Sequence, residues 1–137
     1  MTIPASVAAE SAHPGAPEAL RKWIENPPEW LTVVPDPPEP LEETRVLGAG
    51  ESAAITLAWM HRPESFLILD EKRGRAVAKA LGLRVTGLLA ILVEAAVAGE
   101  VGIEEALDRL QATGFRLSKV LAEEARAQVS ERRGPVD

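Results

Sequence analysis

The sequence predicts a three-layer α/β/α sandwich, in which helices cover both faces of a small parallel β-sheet. Short apolar runs alternate with helix-like segments along the chain, an order typical of parallel strands joined by crossover helices. The clearest strand is the continuous apolar run Phe66 to Leu69, a pattern typical of buried parallel strands. With 137 residues, of which 46% are hydrophobic, the chain suits one domain with a real core. We therefore expect a single domain over residues 1–137.

Proline marks most element boundaries in the first third of the chain. Pro4 and Pro17 each suit the first position of a helix, and Asn26-Pro27-Pro28 ends the second helix. The proline-rich stretch PDPPEPLEET is expected to be extended rather than regular. The predicted elements are a strand end at Ile3-Pro4, helices over residues 5–10 and Glu18 to Glu25, a strand over Leu31 to Val34 and a connector over residues 35–47.

Glycine marks the helix ends in the rest of the chain. Gly82, Gly99 and Gly114 each follow a helix-like segment, where a left-handed residue is needed to end it. The segment Leu88 to Ala98 is apolar nearly all round, which predicts a buried helix, and Ser118 is a favoured N-cap for the last one. The predicted helices are Glu51 to His61, Glu71 to Leu81, Leu88 to Ala98, Ile103 to Thr113 and Ser118 to Glu131, with strands over Phe66 to Leu69 and Leu83 to Thr86.

Composition excludes several kinds of site. Without cysteine, the chain has no disulfide framework, thiolate zinc site or cysteine nucleophile. Only His13 and His61 are present, so a metal site must be built mainly from carboxylates, which suits Mg²⁺ or Mn²⁺. The net charge of −6 argues against binding duplex nucleic acid over the whole surface. No secretory signal or membrane-length apolar segment is recognisable, so we expect a cytoplasmic protein.

Four acidic positions could matter for function, and one of them, Asp70, lies at the carboxyl end of a predicted parallel strand, where function gathers. Asp70 follows the strongest strand, Glu51 lies in the first turn of a helix, and Glu10 lies near the end of another. Each also has a structural interpretation. Asp70 could be an N-cap worth about 1 kcal/mol, Glu51 could interact with the helix dipole for about 0.3–1 kcal/mol, and Glu10 could simply be solvated. Glu71 is expected to point elsewhere, since it would begin the helix.

Basic residues follow Asp70 directly. Lys72, Arg73 and Arg75 would hold a phosphodiester backbone beside a carboxylate cluster. The alternative is a solvated face, or an ion pair of Arg73 with Asp70 that contributes little at a surface. No glycine-rich phosphate loop is present, and no serine has a nearby histidine partner, so nucleophilic hydrolase chemistry is not expected.

Several motifs taken together resemble PIN-like proteins. They are VLGAGESAAITLA, FLILDEKRGRAVAKALGLRVTGLLAIL and EAAVAGEVGIEEALDRLQATGFRLSKVLAEE, preceded by IPASVAAE near the start. The specific likeness is to a prokaryotic branch of predicted nucleic-acid-binding proteins related to the toxin ribonucleases of toxin–antitoxin modules. It extends over nearly the whole chain.

The resemblance implies a parallel sheet between helices and an acidic pocket that binds one or two divalent ions, Mg²⁺ or Mn²⁺. It also implies cleavage of single-stranded RNA by metal-assisted hydrolysis and neutralisation by a small antitoxin protein. The acids of the family fall on Glu10, Glu51 and Asp70 of this chain. Bunched carboxylates repel one another, and a bound metal or a shared proton relieves that repulsion.

The chain departs from the family pattern at its beginning. The family normally begins with a strand that ends in an acid, in a sequence like SDTSPLI, before the IP segment, whereas this chain begins at that segment. We therefore expect at most weak nuclease activity, strands 31–34 and 66–69 without a shared neighbour, and pairing of their open edges in a homodimer or higher homo-oligomer. Three explanations are open. The recorded start could lie downstream of the true start, the gene could be shortened with its strands paired differently within a dimer, or the protein could be a degenerate member that is retained for binding and not for catalysis.

Three functions therefore stand open. The first is a metal-dependent ribonuclease of the toxin type. The second is a non-catalytic PIN-like binding or assembly module in which Asp70 and Glu51 only begin helices. The third is a small α/β protein that binds a phosphorylated ligand at the Gly48–Glu51 turn, which the charge of Glu51 disfavours.

Overall fold

Strands and helices alternate through most of the chain in the computed structural model, which describes residues 1–134. The predicted α/β class is confirmed. The chain divides into two compact units, Met1–Val85 and a second that begins at Thr86. The first contains β1 (Thr2–Pro4), α1 (Ala5–Ala12), α2 (Glu18–Glu25), β2 (Thr32–Val34), a 3₁₀ turn (Glu42–Thr44), α3 (Ala49–Met60), β3 (Leu67–Ile68) and α4 (Lys72–Ala80). The second contains α5 (Leu88–Val97), α6 (Ile103–Ala112) and α7 (Lys119–Arg133), and β4 (Val85–Thr86) lies at the boundary.

The strands form two separate two-stranded sheets. β1 and β2 are parallel, with register from Thr2 opposite Thr32 to Pro4 opposite Val34. β3 pairs with β4. As expected, the strands near residues 31–34 and 66–69 therefore share no neighbour. Both β1 and β3 contact α3, so this helix supports one strand of each sheet.

A groove of about 440 Å³ separates β1 from β3. Leu67 donates its backbone N–H to the carbonyl of Arg84, which fixes the edge of β3 that faces β4. Since backbone groups alternate sides along a strand, those of Phe66 and Ile68 point to the opposite edge. The groove is lined by Thr2, Pro4, Ala54, Leu57, Ala58, His61, Glu64, Ser65, Phe66 and Leu67.

The core of the first unit lies between α3, β3 and α4. Ile55 is fully buried there, and the other buried members are Ala58, Leu67, Leu69, Ala78 and Leu83. Along β3, Leu67 and Leu69 are buried whereas Phe66 and Ile68 are exposed. The prediction of a continuously buried strand over Phe66 to Leu69 is therefore wrong. Only the side of the strand that faces the core cluster is covered.

The connector is extended only in its first part. Thr44 is fully buried in the 3₁₀ turn, and its hydroxyl lies 2.6 Å from that of Ser52 on α3. The backbone N–H of Leu41 donates to the hydroxyl of Thr56 over 3.0 Å. Because these hydroxyls bind the segment to α3, the prediction that residues 35–47 lack a regular element is wrong for the 3₁₀ turn.

In the second unit, α7 packs against both α5 and α6. The core cluster comprises Val93, Ala96, Leu107, Ala122, Ala125 and Val129. Arg132 pairs with Glu94 on α5, and Arg126 pairs with Glu104 on α6. Within α5 only Val93 and Ala96 are buried, so the prediction of a helix buried all round is wrong. One stripe of α5 faces the core cluster, and the rest of its apolar surface is partly exposed.

The predicted helix ends are confirmed. Gly82, Gly99 and Gly114 have φ of 77°, 80° and 87°, the left-handed region that glycine occupies without a steric cost. The hydroxyl of Ser118 accepts a hydrogen bond of 3.1 Å from the backbone N–H of Leu121, as its N-cap role requires. Among the described residues, no helix has the length and apolar character needed to cross a membrane.

Candidate active site

The N-terminus of α3 brings Glu10 and Glu51 together. Glu51 lies in the first turn of α3, and α1, which carries Glu10, packs against the same helix. A Cβ atom added to Gly50 would lie 2.8 Å from both carboxylate oxygens of Glu10. The Glu10 carboxylate therefore lies directly over the backbone that precedes Glu51.

The carboxylate of Glu51 lies against α4. A Cβ atom added to the buried Gly74 would overlap Oε2 of Glu51 and would lie 3.4 Å from Cδ1 of Leu69. Glycine inside a helix costs about 1 kcal/mol relative to alanine. At this position the missing side chain provides the space that the Glu51 carboxylate occupies.

A third acid, Glu71, acts on the pKa of Glu51. Burial, the charge of Glu71, a hydrogen bond to Glu71 and the charge of Glu10 together raise the pKa of Glu51. A hydrogen bond between two carboxyl groups needs a shared proton, so the bond to Glu71 forms only when one of them is protonated. Oε2 of Glu51 is buried and accepts no hydrogen bond from the described residues. We call Glu10, Glu51 and Glu71 the acidic cluster.

Glu71 was missed by sequence reasoning. It is the N-cap residue of α4, and its own side chain makes no capping bond. The N-cap interpretation of Asp70 is therefore wrong, as is the expectation that Glu71 points elsewhere, because α4 begins one residue later than predicted. The sequence did contain a signal. Gly74 follows Glu71 by one helical turn, and glycine inside a helix often marks the close approach of another group.

Asp70 is exposed and directly precedes Glu71. The acids that raise the pKa of Glu51 are Glu71 and Glu10. The structure thus joins two of the three predicted acids and adds a fourth, while the assignment of Asp70 as a site residue stays a prediction from the resemblance.

The predicted cations lie next to the acidic cluster in sequence. Lys72, Arg73 and Arg75 occupy the beginning of α4, with Lys72 and Arg73 exposed and Arg75 half-buried. Cations at a helix N-terminus oppose its dipole by about 0.3–1 kcal/mol each. The helix dipole therefore does not explain their position.

Comparison with known families identifies the chain. The sequence model of the PIN domain family matches residues 1–131. The chain belongs to the PIN domain family. No curated protein and no solved structure gives a significant match. Membership confirms the resemblance inferred from the motifs and indicates a nuclease-like function in general terms.

PIN domains generally depend on divalent metal ions, and the acidic cluster fits such an ion chemically. Within residues 1–134, no three acidic or histidine side chains are spaced to enclose a metal on their own. Mg²⁺ commonly uses only one or two carboxylates and completes its shell with water and substrate phosphate. The buried Oε2 of Glu51 lacks a hydrogen-bond donor among the described residues, and a hard cation would satisfy it. The donor set of this PIN domain therefore suits Mg²⁺ or Mn²⁺.

The raised pKa of Glu51 predicts how the stability of the PIN domain depends on pH without divalent ions. Burial and neighbouring charges raise this pKa above its ordinary value of 4.5. The stabilisation that protonated Glu51 contributes is then complete below pH 4.5, and it is lost as the pH rises through the pKa of Glu51 in the folded protein. In urea titrations with EDTA, Glu51→Gln should therefore become progressively more stable than the wild type towards neutral pH. A difference in unfolding free energy that stays constant with pH would contradict this.

Proposed function

We propose that this PIN domain is a metal-dependent ribonuclease of the toxin type, which cleaves single-stranded RNA at the acidic cluster. One observation carries the proposal. A buried carboxylate oxygen of Glu51 has no hydrogen-bond partner among the described residues, although two further acids lie beside it. A fold that needed these acids only for stability would supply a donor, since an unsatisfied buried charge is costly.

The acidic residues would bind the metal, and the basic residues would bind the substrate. Glu51, with one of its neighbours Glu10 and Glu71, would hold Mg²⁺ or Mn²⁺, and the ion when bound would lower the pKa of a water nucleophile and stabilise charge on the phosphoryl oxygens. Gly50 and Gly74 allow two of these carboxylates to lie against helix backbone. The positioning of the carboxylates is therefore built into the packing of α1, α3 and α4.

The cations at the beginning of α4 would hold the substrate. Lys72, Arg73 and Arg75 would contact phosphate oxygens on either side of the scissile bond. The chain has a net charge of −6, so a polyanion is attracted locally at this turn and not over the whole surface. A small antitoxin protein that covers the same pocket would inhibit the enzyme, as the family resemblance implies.

Two adjacent acids provide the sharpest test of this assignment. In an RNA-cleavage assay with Mn²⁺, we expect Glu71→Gln to lower the rate about tenfold or more, because it removes a negative charge next to Glu51. Asp70→Asn should lower the rate less, since Glu71 is the neighbour that acts on the pKa of Glu51. The two variants change the same charge at neighbouring positions, so each is the control of the other.

If Asp70→Asn lowered the cleavage rate more than Glu71→Gln, Asp70 and not Glu71 would be assigned as a metal ligand. If the wild type and both variants all showed only the same background RNA cleavage, the nuclease proposal would be wrong. Such a result, with a dimer in sedimentation experiments, would favour the second function, a PIN-like assembly module. The groove between β1 and β3 supports that alternative, because open strand edges on its two sides can pair with the edges of a second copy.

A further inference from the structure

Two arginines line a hollow in the first unit that lies away from the acidic cluster. The hollow has a volume of about 570 Å³, and Arg62 and Arg84 lie on its wall together with Pro63, Ser65, Gly82 and Leu83. Arg62 follows the C-terminal end of α3, whereas Glu51 lies in its first turn. At 1.5 Å per residue, Met60 at the end of α3 lies about 14 Å from Glu51 along the helix axis.

Both guanidinium groups are held in place by neutral partners. The Arg62 guanidinium lies 3.4 Å from the centre of the Trp59 ring and donates a 2.6 Å hydrogen bond to the Trp59 carbonyl. The Arg84 guanidinium donates a 2.8 Å bond to the Pro63 carbonyl and lies 5.7 Å from the centre of the Phe66 ring. These contacts orient the two groups before any ligand arrives.

Neither arginine pairs with a carboxylate of the residues that the structure describes. The ion pairs within residues 1–134 involve Lys22, Arg45, Arg109, Arg126 and Arg132. Glu64 is the acid nearest in sequence to Arg62, and it lines the groove between β1 and β3 instead of this hollow. Both arginine side chains are exposed, and the described residues that line the hollow include no acid.

The unused donors point in chemical terms to an oxyanion. A guanidinium has five N–H donors in a planar fork that matches two oxygens of a phosphate. Arg62 uses one of its terminal nitrogens for the Trp59 carbonyl, and Arg84 uses one for the Pro63 and Ser65 carbonyls. A structural role accounts for the carbonyl contacts, and the remaining N–H donors of the two guanidinium groups pair with no carboxylate of residues 1–134.

We propose that Arg62 and Arg84 form a phosphate-binding site. The ligand is either a phosphodiester group of RNA or free phosphate, which present the same oxygens to the two guanidinium groups. The site goes beyond the proposed nuclease function and does not rest on it, because phosphate binding is measured without cleavage.

Inorganic phosphate is the first probe. Its binding to the full chain is followed by NMR through the Nε–Hε signals of the arginines, at constant ionic strength. Arg84→Gln should weaken saturable binding about tenfold or more, since it removes a charge-assisted hydrogen bond. Arg84→Lys keeps the charge but loses the fork, so its affinity should lie between those of Arg84→Gln and the wild type.

Arg45→Gln is the matched control, because Arg45 is an exposed arginine of the same unit that pairs with Glu42. It makes the same change in net charge and should leave phosphate affinity unchanged. Equal weakening by Arg45→Gln and Arg84→Gln, or no saturable binding by the wild type, would overturn the proposal. A thermal melt of each variant separates loss of binding from loss of folding.

A single-stranded oligouridylate, in EDTA to prevent cleavage, distinguishes the two sources of phosphate. If the site holds the RNA backbone, Arg84→Gln weakens oligonucleotide binding by fluorescence anisotropy more than Arg45→Gln does. If the two variants bind the oligonucleotide equally while phosphate binding still depends on Arg84, the ligand is free phosphate. Both results support the site, and each assigns its ligand.

Discussion

Glu51→Gln is expected to lower Mn²⁺-dependent RNA cleavage by at least about 100-fold, which is close to 3 kcal/mol of transition-state stabilisation. The reason lies in the position of Glu51 between the other acids. Its carboxylate lies against α4 at Gly74, and its pKa is raised first by burial and then by the neighbouring Glu71 and Glu10. The amide of glutamine has a similar shape but carries no charge, so the variant should lose the metal-binding charge while the packing survives.

The same substitution should make the folded protein more stable at neutral pH without divalent ions. Glutamine avoids burying a charge beside two other carboxylates, which is the cause of the raised pKa of Glu51. Loss of activity combined with a gain in stability distinguishes a functional acid from a structural one, because removal of a structural partner lowers both. Assays of cleavage rate and of thermal unfolding at neutral pH measure the two effects.

Glu25→Gln at the end of α2 is the control for net charge. It should change neither the cleavage rate nor the melting temperature appreciably, since solvated surface substitutions shift stability by only about 0.5 kcal/mol or less. Wild-type activity in Glu51→Gln would show that the acidic cluster is not where the reaction occurs. Reduced activity with reduced stability would instead show that Glu51 supports the fold.

The order of the elements could be predicted because proline and glycine act locally. The helix Glu18–Glu25 has its predicted bounds, and α6 ends before Gly114 as expected. Each of these boundaries depends on the backbone preference of one or two residues. Because neighbouring residues determine these helix boundaries, tertiary packing does not change them.

The extent of β3 could not be predicted in the same way. Phe66 to Leu69 is apolar throughout, yet Phe66 and Ile68 are exposed in the folded chain. Whether both faces of a strand are covered depends on which elements pack there, and that information is not local. The same reasoning applies to α5, whose apolar surface is only partly covered.

Neither the pairing of the acids in the acidic cluster nor the place of Glu71 could be predicted from local sequence. Glu10 and Glu51 lie far apart in the sequence and were paired only through the family resemblance, which summarises tertiary structure that a single sequence does not display. The sequence predicts that α4 begins at Glu71, whereas the helix begins at Lys72 and Glu71 is its N-cap residue. Element boundaries are the least certain part of such predictions, so a site at a helix start is easily misassigned by one residue.

Gly74→Ala tests whether the position of the Glu51 carboxylate, and not only its presence, matters for function. The added methyl group would overlap Oε2 of Glu51, which is the end of a flexible side chain. The carboxylate can therefore move aside without disrupting the backbone, and α4 gains up to about 1 kcal/mol from the better helix propensity of alanine. We expect a folded protein with all its acids and a melting temperature close to that of the wild type.

Cleavage by Gly74→Ala should nevertheless fall about 100-fold, since a displacement of about 1 Å at a reacting centre has an effect of that size. Gly48→Ala is the matched control, because a Cβ atom at Gly48 would meet nothing within 4 Å. The difference in unfolding free energy between high and low pH should also be smaller in Gly74→Ala than in the wild type, because the displaced carboxylate leaves its buried position beside Glu71. Full activity together with an unchanged pH dependence would mean that the Glu51 carboxylate does not need the space above Gly74. Loss of activity with folding intact would show that a glycine, which bears no functional group, positions the acid on which the proposed chemistry depends.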